Sequence, residues 1–122
     1  MDAQDNPSLK AFYFEDVGEF TLIRVEGCLD SQARSDLDRK ILEITKSGRH
    51  NFVIDLGKCQ RDIHTYANLI VFLTHITSTG GIFCLRNGKW FMKQTYKDLI
   101  GGPVYRECLD DASALAYFKI KN

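Results

Sequence analysis

Apolar and polar positions along the chain switch between a two-residue and a helical period, and the switches mark out its elements. Ala11 to Phe14 and Phe20 to Val25 are aromatic and β-branched runs, the composition of strands. Residues 15 to 18, Glu-Asp-Val-Gly, have the make-up of a hairpin turn, so the two runs form an opening antiparallel pair. Asp30 or Ser31 can cap a helix. Ala33, Leu37, Ile41 and Ile44 then recur as one stripe, with Asp36, Arg39, Lys40 and Glu43 on the solvated side and an end near Gly48. Phe52 to Leu56 is a short apolar run bounded by polar residues, as expected of a strand covered on both faces. A second helix runs from about Thr65 to Ser78. Tyr66, Leu69, Ile70, Leu73 and Ile76 keep helical spacing while Val71 and Phe72 widen the stripe, so little of it should face water.

Gly80-Gly81 ends that helix. Ile82 to Leu85 is the next strand and Lys89 to Ile100 the next helix, with Met92, Tyr96 and Leu99 turned toward the core and Gly101-Gly102-Pro103 as a break. Val104 to Cys108 is a last strand. Asp110 or Asp111 then caps a closing helix that carries Leu115 and Phe118. The order predicts an α/β domain: a mixed, mostly parallel sheet of about five strands, opened by an antiparallel pair, with about four helices and right-handed crossovers. Residues 1 to 9 read as a flexible polar lead-in and residues 10 to 122 as a single domain.

Composition narrows the function. The chain has 122 residues with 16 Lys and Arg against 16 Asp and Glu. Neither half is basic: residues 1 to 61 carry 9 cationic and 11 anionic side chains, and residues 62 to 122 carry 7 and 5. That excludes the concentrated positive field that nucleic-acid binding needs. The longest apolar run, Leu69 to Leu73, falls far short of the roughly 20 residues that span a bilayer, and the polar, acidic start is unlike a signal peptide. A cytoplasmic protein without membrane insertion is expected. Cys28, Cys59, Cys84 and Cys108 lie 31, 25 and 24 residues apart, without metal-ligand spacing. They read as buried free thiols, and neither a metal nor a cofactor is expected.

Catalytic constellations are missing. Asp55 is the sole carboxylate at a central strand end, unlike the acidic pair of receiver domains, and both Gly-Gly pairs follow helices where a phosphate loop would precede one. The chain is therefore not expected to be an enzyme. His64 reads as a surface loop residue, and His50 and His75 as ordinary packing or surface residues. Lys89, Lys93 and Lys97 form a basic ridge on the third predicted helix, with Trp90 close to it. These four are candidates for a secondary partner contact; the plainer reading is a solvated lysine face with Trp90 folded under the preceding loop.

Three local patterns in this order resemble the STAS domain, the family of bacterial anti-sigma factor antagonists and of sulfate-transporter tails. They are Val25-Glu26-Gly27-Cys28-Leu29-Asp30 leading into a helix, Phe52-Val53-Ile54-Asp55-Leu56, and Leu99-Ile100-Gly101-Gly102 followed by a strand and Asp110-Asp111-Ala112-Ser113-Ala114-Leu115. The family places an Asp and a phosphorylated Ser or Thr between the central strand and the second helix, where helix N–H groups would favour a phosphate. Counting back from Gly80-Gly81 puts Asp62 at the Asp position and Ile63 at the hydroxyl position; counting forward from Asp55 puts Ile63 and His64 there. Neither count yields a hydroxyl. A register error of two would make Thr65 the acceptor.

The resemblance implies a non-catalytic protein-interaction module in signal transduction and transcription regulation, not switched by phosphorylation at the usual position. Asp62, Ile63, His64, Thr65 and Tyr66 would dock an anti-sigma factor kinase or a signalling scaffold, with affinity from Ile63 and Tyr66. The plainer reading of Asp62 is a helix cap. Two other readings are open: a small-ligand or lipid sensor using an apolar pocket between sheet and helix near Phe12, Tyr13, Phe14 and Phe20, and a homodimer through the edge of the opening strand.

Overall fold

A computed structural model describes residues 12–98 and 105–122. The strands are β1 (Phe12–Asp16), β2 (Thr21–Val25), β3 (Asn51–Asp55) and β4 (Ile82–Arg86); the helices are α1 (Ser31–Lys46), α2 (Ile63–Ser78), α3 (Lys89–Asp98) and α4 (Asp111–Lys121). Strand order in the sheet is β1-β2-β3-β4. β1 runs antiparallel to β2, Phe14 opposite Ile23. β2, β3 and β4 are mutually parallel, with Ile23 opposite Ile54 and Val53 opposite Cys84.

Side-chain alternation along β3 shows why its run is apolar throughout. Phe52 and Ile54 pack in one cluster with Leu37 and Ile41 of α1 and Leu69, Phe72 and Ile76 of α2. Val53 points the other way and meets Phe20, Cys84, Ala114 and Phe118, so α4 closes the second face. Both faces exclude water, as a parallel sheet requires. The three cap positions resolve in favour of the first Asp of each start: Asp30 accepts from the Ala33 N–H, Asp62 from Thr65 and Asp110 from Ser113 in a reciprocal capping box. The Asp62 cap makes Ile63 the first residue of α2, two residues ahead of the expected start.

Among the described residues the sheet has four strands where about five were expected. The last segment is a single parallel bridge between Leu85 and Glu107, held by Leu85 N–H to the Arg106 carbonyl and Cys108 N–H to the Leu85 carbonyl, each 2.8 Å. Ala11, the Gly101-Gly102-Pro103 break and Val104 lie outside the described residues, as does the lead-in.

Helix α3 is rotated from its expected phase. Phe91 and Thr95 are the buried residues, whereas Tyr96, assigned to the core from its spacing, is 83% exposed. The cause is aromatic: the Phe91 ring stacks against Tyr66 and Tyr105 with both centroids 5.5 Å away, and this anchoring sets the helix rotation. Val71 of α2 is likewise exposed.

The cysteines also depart from expectation. Cys59 alone is a buried free thiol; Cys28 is exposed, and Cys84 is joined to Cys108 with Cα atoms 6.0 Å apart. The Leu85–Glu107 bridge aligns the two on the α4 side of the sheet. A spacing of 24 residues carries no trace of that register.

Candidate functional site

Helix α2 begins beside the loop joining β2 to α1, and a set of polar side chains ties the two together. The Thr65 N–H donates to the Asp62 carboxylate at 2.8 Å. The Thr65 hydroxyl accepts from the Leu29 N–H at 3.0 Å. Asn68 donates to the carbonyls of Leu29 (3.1 Å) and His64 (3.0 Å) and accepts from Arg34 (3.1 Å). The Thr65 N–H holds the Asp62 carboxyl below the usual carboxylate range, with smaller help from the Thr65 hydroxyl, His64 and Cys28. Cys59, beneath this loop, has its thiol pushed up to about 12 by burial and by the neighbouring Asp62 and Cys28.

The five residues proposed for docking therefore separate. Ile63 is 71% exposed, with His64 exposed beside it and Asp62 half-buried. Thr65 is fully buried and Tyr66 only 8% exposed: their positions in the first turns of α2 turn inward onto Leu29 and Phe91. The Thr65 hydroxyl, offered as an alternative phosphoacceptor, is buried with it and accepts from the Leu29 N–H. The Tyr66 hydroxyl has no hydrogen-bond partner; burial, and then the nearby Asp98, raise its pKa. A shallow cavity of about 400 Å³ between α2 and α3 is lined by Arg61, Ile63, Tyr66, Trp90, Gln94 and Asp98.

A larger groove of about 960 Å³ crosses the carboxyl ends of β2, β3 and β4. Its floor holds Asp55, which accepts from the Gly57 N–H at 2.9 Å and from the Asn87 amide at 3.0 Å. Asn87 itself sits in the left-handed region at φ 58°, a conformation Asn tolerates better than most residues. Arg24, Lys58, Arg61, Lys89 and Lys93 line the walls. Trp90 is half-buried, with the Arg61 guanidinium 5.7 Å from its ring centroid. Lys97 is exposed further along α3. Sequence reading found Lys89, Trp90 and Lys93 but missed Arg24, Lys58 and Arg61. The available signal was their position at or just past the ends of parallel strands, where open α/β sheets place their ligands.

The layer between the sheet and α1 and α2 is filled by Ile23, Phe52, Leu69 and Phe72, all fully buried. Of the aromatics named for a ligand pocket there, Phe12 and Phe14 pack on this layer, Tyr13 is exposed and Phe20 lies on the opposite face. No helix among the described residues is long and apolar enough to cross a membrane.

Neither a protein-family model nor a curated protein matches the sequence. Solved structures do match the fold. The anti-sigma factor antagonist SpoIIAA in its unphosphorylated form is 18% identical, with 89% of this chain and 98% of that one covered and a TM-score of 0.62. The phosphorylated form of SpoIIAA, a Bacillus cell fate determinant, is 20% identical over 88% and 99%, at 0.62. A Ser-to-Glu variant of RsbS from Moorella thermoacetica is 20% identical over 90% and 96%, at 0.66. With its antiparallel first pair, parallel remainder and four helices among the described residues, and over about 90% of its length, the chain has the STAS fold of SpoIIAA and RsbS.

Proposed function

We propose that the chain is a non-catalytic regulatory module of the anti-sigma factor antagonist kind, which docks a partner protein through the start of α2. The carrying observation is Ile63: a large apolar side chain 71% exposed, at the first turn of a helix made rigid by Asp62, Thr65 and Asn68. An exposed apolar anchor on a fixed backbone suits a binding surface. His64 flanks it. The phosphorylation switch implied by resemblance has no reachable oxygen here, because Ile63 has none and the Thr65 hydroxyl is buried. The partner on this reading is an anti-sigma factor kinase in the cytoplasm.

Titrating the purified chain with anti-sigma factor kinases of its own genome, by calorimetry, tests this. One kinase should bind, and Ile63→Asp should weaken it at least ~10-fold without lowering the melting temperature. Binding unchanged in that variant would overturn the surface, and phosphate incorporated at residues 62 to 66 would overturn the unswitched mechanism.

A further inference from the structure

We infer that the groove across the carboxyl ends of β2, β3 and β4 seats an acidic segment of the docked protein. The inference rests on the docking reading above and adds the charge of the partner. Arg24 comes from β2, Lys58 and Arg61 from the stretch between β3 and α2, and Lys89 and Lys93 from the first turns of α3; all five are exposed. None of them forms an ion pair among the described residues, whereas Arg34, Arg39, Lys40, Arg49 and Arg86 each do. Three carboxylates share the groove: Glu26, Asp55 and Glu107. Asp55 is occupied by Gly57 and Asn87. Five cations against three carboxylates leave the groove a net positive charge of two in a chain of zero net charge, and such a face attracts a partner of opposite sign.

Shape favours a protein segment over a small anion. Here the walls are long cationic side chains, and an exposed apolar residue stands at each side: Leu109, 74% exposed, lines the groove, and Ile63 lines the adjoining cavity that shares Arg61 and Trp90 with it. Trp90 and Arg61 stack between the two. Aromatic and Arg anchors inside a charged rim make up a protein–protein contact.

Trp90 is the sole tryptophan, so its emission reports occupancy. The probe is a short Glu/Asp-rich peptide with a central Leu, compared with Gln-rich and Lys-rich peptides of equal length and with inorganic pyrophosphate. The acidic peptide alone should give a saturable change in Trp90 emission, weakening about tenfold as salt rises from ~0.05 to ~0.3 M. Lys58→Glu/Lys89→Glu/Lys93→Glu, three exposed changes that leave the fold's circular dichroism intact, should abolish it. No response, an equal response to the Gln-rich or Lys-rich peptide, or an undiminished response in the charge-reversed protein would overturn the inference. Tighter binding of pyrophosphate than of the peptide would overturn it in favour of a small-anion site. Kinase binding that fails with Ile63→Asp but survives charge reversal sinks the groove alone. The converse pattern sinks the Ile63 surface and leaves the groove standing.

Discussion

Replacing Thr65 by Val isolates the tie between the start of α2 and the loop ahead of α1. Thr65 is fully buried, and its hydroxyl oxygen accepts from the N–H of Leu29, a residue 36 positions earlier, at 3.0 Å. Valine has nearly the same volume, so no cavity opens, but the buried Leu29 N–H loses its acceptor. Such an orphaned donor costs about 1–3 kcal/mol. For a domain of this size that lowers the melting temperature by roughly 4–12 °C. Thr65→Ser keeps the oxygen and removes one methyl, costing about 1 kcal/mol, and should keep Leu29 protected. Thermal unfolding of the three proteins measures the stability change, and native-state hydrogen exchange reads the Leu29 amide directly. Wild-type stability in the Val variant, or unchanged Leu29 protection, would refute the reasoning. The same geometry predicts that kinases leave Thr65 unmodified in the folded protein, and phosphothreonine at this position would show that the helix start opens.

Iodoacetamide should label Cys28 alone in the native oxidised protein, Cys28 and Cys59 in denaturant, and all four cysteines only after reduction; four labels in denaturant without reductant would refute the Cys84–Cys108 bond. Reduction of that bond should cost about 3.5 kcal/mol by the loop-closure estimate, read by urea unfolding with and without dithiothreitol. Phe91→Ala should destabilise by about 3–5 kcal/mol because the ring is fully buried, whereas Tyr96→Ala should leave the unfolding midpoint unchanged; the reverse order would restore the helix phase read from spacing. Asp62 and Asp110 are held below the ordinary carboxylate range by the N–H groups of Thr65 and Ser113. Their charged caps therefore contribute stability above the unfolded value of about 4 and lose it as pH falls through their lower folded values. The stability gap between wild type and Asp62→Asn/Asp110→Asn should be full at neutral pH and shrink below that point; a gap that persists into strong acid would refute the assignment.

Much of the fold was legible because it is written locally. The run Phe52–Leu56 showed a strand buried on both sides, and the stripe Ala33, Leu37 and Ile41 placed α1 with its correct face inward. Asp30, Asp62 and Asp110 announced three helix starts, because a cap needs only a carboxylate and an N–H three residues on. The candidate site was legible in position but not in orientation: Ile63 and His64 face out, and Thr65 and Tyr66 face in. Which way the first turn points depends on what Leu29 and Phe91 offer from distant parts of the chain.

The sequence by itself determined the order of the first four strands and of the four helices, their approximate ends, and the absence of a hydroxyl at the position where the STAS resemblance expects one. These follow from periodicity, capping and residue identity, which act over a few neighbouring residues. Tertiary structure alone decided the rest: the four-stranded sheet with its single added bridge, the rotation of α3 about Phe91, the joining of Cys84 to Cys108, and the gathering of Arg24, Lys58, Arg61, Lys89 and Lys93 along one groove. Each depends on contacts between segments far apart in the chain: the pairing of parallel strands, and the packing of helices and aromatic rings on the faces of the sheet. A pattern read over a few neighbouring residues carries neither.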